Sequence, residues 1–463
     1  MRLFDWRSLV VSSVMVGALA ANAETRPQYG GVLHVAMRAA PTSLDPADTT
    51  QPESFARRSL TLVMFDTLVT IDENRVQPAL ATSWQTLQGN QQGNQHWQFR
   101  IRGGVKFHDG TALSAETVAA SLRAANPSWN VSADADSVVI ERDRPDPELL
   151  AELALPRNAI VKRNPDSTPS GTGPFHIVDW QPGKKLALAA EENCWRGRPY
   201  LDAIEIELGK SYRDQMTALE LGRADLVEVA PEQTRRVSLE GHRLASSDSI
   251  ELLALLFARD AASADEKLLR QALALSVERG SIRSVLLQGA GQAAASILPN
   301  WMSGYGFVFP TDPDLPRARN ARAQVHAIPV WTVGYDGADP VARLLAERIA
   351  LNARDAGLSL QPTASASADL RLVRIPLASP DPWIALANAA AVAGIPAGVP
   401  AGKDSGSVED LYAAESAMLA TQRIIPLFHL PVSYAASATL KDWALRADGS
   451  WTLADAWLGS GKP

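Results

Sequence analysis

The stretch VKFHDGTALSAETVAASL, Val105 to Leu122, admits two readings that lead to different proteins. His108 and Asp109 side by side, with Glu116 behind them, are the residue types of an acid–base site. The same letters also spell a strand, a tight turn and a capped helix. Val105 and Phe107 alternate with Lys106 and His108, the period of a half-buried strand. Asp109-Gly110 is a turn dipeptide. Ser114 is placed to cap the next helix, and Glu116 falls in its first turn, where the helix dipole favours an acid. Ala115, Val118 and Leu122 line one face of that helix. Every polar residue here has a structural task, so the stretch is read as scaffold.

The same grammar continues outward. Upstream, Trp97, Phe99 and Ile101 alternate with polar residues before Gly103-Gly104 interrupts the strand, and Gly31 to Ala36 forms a first strand leading into a loop through Pro41–Pro46. Downstream, a helix from Tyr212 to Leu221 closes at Gly222 and a strand follows at Asp225–Val229. One long helix is expected from Glu266 to Leu287, a strand at Pro329–Val333, and a helix from Pro340 to Ala356 with Gly357 at its C-cap. Ala385 to Gly402 reads as a helix end running into a loop. Alternating strands and helices of this kind specify α/β domains.

With 463 residues, of which 46% are hydrophobic and 21% charged, the chain has the composition of a globular protein with room for two or three domains. A net charge of −7 provides no basic surface for nucleic acid. Cys194 stands alone, which excludes an intramolecular disulfide and a cysteine metal cage. Arg2 and Arg7, the apolar run Leu9–Ala20 and the Ala21-Asn22-Ala23 triplet form a signal-peptide pattern with cleavage expected after Ala23. The run is too short for a stable span, and no cysteine follows it to accept a lipid. A periplasmic location is expected.

The usual catalytic patterns are missing from the sequence. The seven histidines show no H-x-x-x-H or H-E-x-x-H spacing, and there is no G-x-S-x-G elbow. Gly171-Thr172-Gly173-Pro174-Phe175 lacks the third glycine of a dinucleotide fingerprint, and Gly402-Lys403 lacks the upstream glycine of a phosphate loop. No enzyme chemistry, metal or cofactor is expected.

An ordered set of segments resembles the family 5 extracellular solute-binding proteins, the peptide- and nickel-binding receptors of ABC importers. These are GGVLHVA, TSLDPAD, FDTLV, PALATSW, WQFRIRGGVKFHDGTALSAETVAASL, GTGPF, NCWRGRPYLDAIEIE, ALELGRADLVEV, LLRQALALSVER and IIPLFH. The resemblance implies an α/β, two-lobed periplasmic-binding-protein clamp with an extra domain inserted in the first lobe. It divides the chain into a signal peptide (1–23), lobe I (24–60, 167–248 and 432–463), the insert (61–166) and a shortened lobe II (249–431). The hinge falls near Ile250–Leu256 and Pro426–Pro431, and Trp443, Trp451 and Trp457 are expected to pack into lobe I.

The function so implied is capture of a peptide or similar polar solute by hinge closure, and delivery by a monomer to ABC permease subunits. Candidate cleft residues are Thr42 and Ser43 in the first loop, Trp301 and Tyr305 after SILPN, and Trp383 after ASPDP, because loops on a rigid scaffold carry binding residues disproportionately. His176 is read as a strand-face histidine, with a nickel contact as its alternative. The family's peptide receptors resemble one another in placing an acid before a D-P pair to hold the ligand's ammonium group, and the matching position here is Ala378. Asp381 is the nearby substitute carboxylate, although Asp before Pro382 also reads as a helix start. Two other readings stay open: a degenerate receptor acting as a sensor or interaction protein, and a secreted enzyme on the same lobes.

Overall fold

The computed structural model describes residues 26–459 apart from 51–53, 73–74, 89–94, 144–145, 147, 164–167, 378, 380 and 396–406. The expected cleavage site at Ala23, and Ala378, lie outside the described residues. The chain folds as two lobes with an extra domain inserted in the first.

The first lobe opens with β1 (Val32–Ala36) and α1 (Phe55–Met64). The inserted domain follows: β2 (Val69–Asp72), β3 (Arg75–Pro78), β4 (Ala81–Gln88), β5 (Gln95–Ile101), α2 (Ala115–Ala125), β6 (Asn130–Asp134), β7 (Ser137–Arg142) and the short α3 (Leu149–Leu153). The chain returns through β8 (Phe175–Gln181), β9 (Lys185–Ala190), β10 (Ala203–Glu207), α4 (Tyr212–Glu220), β11 (Leu226–Val229) and α5 (Thr234–Leu239). Strand β12 (Arg243–Phe257) crosses to the second lobe. That lobe holds α6 (Ala264–Ser276), α7 (Arg279–Val285), β13 (Gln292–Ala293), α8 (Asn300–Ser303), α9 (Leu315–Ala323), β14 (Val330–Gly334) and α10 (Pro340–Asp355). It continues with β15 (Ser359–Thr363), β16 (Leu370–Pro376), α11 (Pro382–Ala393) and α12 (Val408–Ala420), and β17 (Ile424–Ala436) returns to the first lobe.

One sheet runs through both lobes in the order β15-β14-β16-β12-β17-β11-β1-β10-β9-β8, with β13 also on β17. The antiparallel pair β12 and β17 is the shared spine, and its register slips between Ser246 and Ser249 and again between Ser249 and Glu251. Such irregularities bend a strand and raise its twist. Leu253, Leu255 and Phe257 of β12 enter one core cluster while Leu252 and Ala254 enter another, so the spine is apolar on both faces. This is why it reads as an unbroken hydrophobic run. Trp451 is fully buried in the first-lobe cluster, with Trp443 packed against it, and the Trp457 indole donates to Asp442.

The opening stretch has the geometry expected of scaffold. Ser114 and Thr117 form a reciprocal capping box, and Val118 and Leu122 are fully buried. His108 Nε2 donates to the Gly173 carbonyl while Nδ1 accepts from the Gly171 N–H; burial holds this imidazole below its usual range. Burial opposes ionisation of Asp109, but Lys162 and Thr111 outweigh it and hold the carboxyl at about 2.

The neighbouring motifs converge on Asp66, which is buried and accepts from Thr172 Oγ1 (2.9 Å) and Trp195 Nε1 (2.8 Å) while pairing with Arg196 (2.9 Å). FDTLV, GTGPF and NCWRG therefore meet where the insert joins the first lobe. Helix α1 runs through Met64, across the expected start of the insert at residue 61, and Leu60, Val63 and Met64 pack into the first-lobe core.

One expectation about local structure is corrected. The single helix over 266–287 is two helices, broken between Ser276 and Arg279. The Ser276 hydroxyl donates back to the Leu273 carbonyl, the Glu278 N–H is taken by Asn352 Oδ1, and the buried Arg279 side chain donates to the Pro426 carbonyl. One backbone N–H, that of Glu278, is taken out of the helical ladder, two side-chain bonds hold the chain on either side of the break, and the apolar stripe alone does not carry the helix across.

Candidate ligand-binding cleft

A cavity of about 330 Å³ opens where the carboxyl ends of β1 and β11 meet β12, β16 and β17, and its lining includes Arg38, Tyr212, Glu228, Glu251 and Arg374. Open α/β sheets take ligands at the carboxyl ends of their strands, and this cavity has the size of a small-solute site.

Each lining side chain is held by its own element. Arg38 lies two residues past β1, and its backbone N–H donates to the Glu228 carboxylate. Its guanidinium sits 5.1 Å from the Tyr212 ring centroid, at the first turn of α4, which Ser211 caps. Glu228 is the one acid in the apolar strand β11, and the fully buried Gln215 accepts from its N–H at 2.8 Å and donates to its carboxylate at 3.3 Å. From the second lobe, Arg374 of β16 donates to Glu251 of β12 at 2.9 Å.

Asp339 caps α10, accepting from the Val341 and Ala342 N–H groups, and stands 3.6 Å from both Arg38 and Arg374. Arg38 Nη2 is 3.3 Å from Asp336 Oδ2. Arg38 of the first lobe thus lies directly against charged groups of the second. Burial raises the Glu228 carboxyl and carries the Tyr212 phenol up to about 12. Burial works against the Arg374 charge, but Glu251, Tyr212 and Asp339 outweigh it and raise the group further.

The side chains singled out in the sequence lie elsewhere. Ser43 Oγ accepts from the Asp45 N–H, and neither it nor its neighbour Thr42 belongs to the cavity lining, which takes the preceding residues up to Pro41. Trp301 is exposed on α8. Tyr305 and Trp383 are brought together in one buried cluster of the second lobe. The Tyr305 hydroxyl donates to Glu415 at 2.6 Å, and Asp381 Oδ1 accepts from the N–H groups of Trp383 and Ile384 as the N-cap of α11. His176 lies 3.4 Å from Glu191, with its ring 6.0 Å from that of His108. Cys194 is buried, which raises its thiol pKa. Among the described residues no three His, Cys, Asp or Glu side chains form a metal-holding group.

The family model described as bacterial extracellular solute-binding proteins, family 5 Middle, matches residues 75–375. The chain belongs to this family. Among family 5 relatives, the nickel-binding protein NikA of Staphylococcus aureus is 26% identical over 242 residues, 49% of this chain and 48% of its own. The oligopeptide-binding protein AppA of Bacillus subtilis is 23% identical over 322 residues, covering 63% of this chain and 57% of AppA. The chain matches about half the length of the first of these relatives. In fold, the dipeptide-binding protein of Pseudoalteromonas sp. in complex with Met-Leu superposes with a TM-score of 0.80 at 17% identity, covering 92% of this chain and 100% of that one. The S. aureus NikA structure gives 0.78 at 18% identity, over 90% and 97%.

The cavity residues of this family 5 protein went unremarked in the sequence reading, yet they carry a signal. Glu228 in LVEV and Glu251 in IELLALLF are single charges inside apolar runs, and Arg374 is one of two arginines in LRLVRIP. Burying such a charge is costly unless it is paired, so each one marks a place where partners converge.

Proposed function

We propose that this protein is the substrate-binding component of an ABC importer. It captures a peptide or similarly sized polar solute in the interlobe cavity and delivers it to membrane permease subunits. The observation that carries this reading is the cavity itself, lined from both lobes over the bent β12–β17 spine. Closure about the irregular segment Ser246–Glu251 moves the two walls of the cavity relative to each other, and a solute that contacts both walls better in the closed form shifts the population toward it. The cleft does no chemistry. Lobe I takes 24–60, extended through the end of α1 at Met64, with 167–248 and 432–463; the insert takes the rest of 61–166 and lobe II takes 249–431. The signal peptide ends at Ala23, and the mature monomer works in the periplasm without a lipid anchor, in keeping with the extracellular character of the family.

The test couples stability to shape. A true solute at about 100 times its Kd adds roughly 2.7 kcal/mol to folding stability, and small-angle scattering shows compaction at the same concentration. A tight solute that raises Tm with no change in radius of gyration contradicts the clamp. N-terminal sequencing of the periplasmic protein is expected to begin at Glu24.

A further inference from the structure

We propose that Arg38 and the turn Asp336–Asp339 form an interlobe latch, which draws the two lobes together before any solute is bound and makes their separation depend on ionic strength. The proposal rests on the two-lobed clamp reading and adds a resting state to it.

The contact is built from both sides. Arg38 lies two residues past β1 in the first lobe, its backbone N–H held by Glu228 and its guanidinium lying over the Tyr212 ring. From there Nη2 donates to Asp336 Oδ2 at 3.3 Å, and Nη1 stands 3.6 Å from Asp339 Oδ2. Both acids belong to the second lobe, in the turn that leads from β14 into α10, and Asp336 is 298 residues away in sequence.

The two acids divide their oxygens in the same way. Asp336 Oδ1 accepts from the Ala338 N–H, and Asp339 Oδ1 accepts from the Val341 and Ala342 N–H groups. In each, Oδ2 is the atom that meets Arg38. The turn's own backbone therefore fixes both carboxylates with one oxygen toward the first lobe. An exposed ion pair is weak largely because two mobile side chains must be ordered to make it, and here one partner is ordered in advance. Asp336 is 52% exposed and open to screening, whereas Asp339 is 6% exposed and shielded from it. A hinge equilibrium is closely balanced, so a modest bias of this kind shows as a change of population.

The test needs no solute. The mature full chain is unfolded in urea, freed of cargo and refolded. Small-angle scattering is then recorded at about 10 mM and about 1 M NaCl, between which the screening length falls from roughly 30 Å to roughly 3 Å. Asp336→Asn, Arg38→Gln, their double variant and Glu347→Gln are treated alike. Asparagine at 336 keeps an Oδ1 for the Ala338 N–H and sets an amide where Arg38 donates. Glu347→Gln removes the same charge from α10 but breaks a pair, with Arg343, that lies within one lobe.

Wild type and Glu347→Gln are expected to be compact at low salt and to expand at high salt. Asp336→Asn is expected to lower the closed-to-open ratio at low salt at least threefold, the scale of one surface ion pair, and to respond less to salt. Arg38→Gln should go at least as far, and the double variant no further, because the pair is already broken. Should Arg38→Gln fail to refold, Asp336→Asn and Glu347→Gln still decide the matter. An Asp336→Asn protein as compact as wild type, a wild-type radius that salt does not move, or equal expansion by Glu347→Gln overturns the proposal. The two readings fail differently. A radius unmoved by salt and by both latch variants, in a protein that its solute still compacts, removes the latch alone. Expansion by Asp336→Asn in a protein that no bound solute compacts removes solute-driven closure and keeps the latch.

Discussion

Tyr305 and Glu415 are joined hydroxyl to carboxylate at 2.6 Å across 110 residues of chain, inside the second lobe. Glu415 is fully buried and also accepts from the Ile297 and Leu298 N–H groups. Three donors converge on one acid, which fixes the SILPN loop against α12. Burial still leaves its carboxyl raised, with the three hydrogen bonds opposing that shift. Tyr305→Phe is expected to cost about 2 kcal/mol at pH 7.5, the scale of one hydrogen bond to a charged group. A carboxyl raised in the folded state contributes stability at low pH that is lost as pH rises through its folded pKa. Removing the hydroxyl raises it further, so the cost should shrink as pH falls toward the carboxylate range. Urea unfolding of both proteins at several pH values checks this, and the affinity for solute should not change.

His429 on the β17 spine gives the opposite slope. Its ring is 3% exposed, its Nε2 donates to the Ile297 carbonyl at 3.0 Å, and burial lowers its pKa from 6.5 to about 4. The unfolded chain binds this proton first as pH falls, so stability is whole above about pH 6.5 and is lost progressively down to about pH 4. The contribution is on the order of 3 kcal/mol. His429→Gln keeps a donor for Ile297 and does not titrate. Its unfolding free energy should therefore fall less than the wild-type value between pH 7 and pH 4, and parallel curves would contradict the assignment.

Gly171 tests the joint at Asp66. A Cβ built at Gly171 would lie 2.0 Å from the Met64 carbonyl oxygen, and one at Gly173 would lie 2.6 Å from the Met64 carbonyl carbon. Backbone cannot yield as a side chain does, so Gly171→Ala should destabilise by at least the 1–3 kcal/mol typical of overpacking. Gly103 has nothing within 4 Å of its built Cβ, and Gly103→Ala should be close to neutral. Denaturant midpoints of the two variants separate the cases.

What was legible in the sequence followed from short periods and local chemistry. The cap at Ser114 and the cap at Asp381 both announce themselves within a few residues. The cavity did not, because Arg38, Glu228, Glu251 and Arg374 meet only when β1, β11, β12 and β16 lie in one sheet. Aromatic residues in loops misdirect for a related reason: Tyr305 and Trp383 follow loop-like sequence, yet their rings are the apolar material that closes the second-lobe core. The break at Ser276–Arg279 was hidden because Asn352, which takes the Glu278 N–H, and Pro426, which holds the Arg279 side chain, are distant in sequence.

Asp381 carries the last prediction. Its Oδ1 takes the N–H groups of Trp383 at 2.9 Å and Ile384 at 3.1 Å, which is an N-cap in full. Serine caps nearly as well and carries no charge, so Asp381→Ser is expected to leave both melting temperature and solute affinity unchanged. Ala378, which matches the position where peptide receptors of this family resemble one another in carrying an acid, brings no charge for a ligand's ammonium group. An unpaired buried ammonium costs roughly 2–5 kcal/mol. Free di- and tripeptides should therefore bind at least tenfold more weakly than the same peptides N-acetylated, measured by calorimetry on one preparation. If Asp381→Ser instead melts like wild type yet loses tenfold or more in affinity for a free tripeptide, then Asp381 anchors the ammonium, and the preference for blocked amines is wrong.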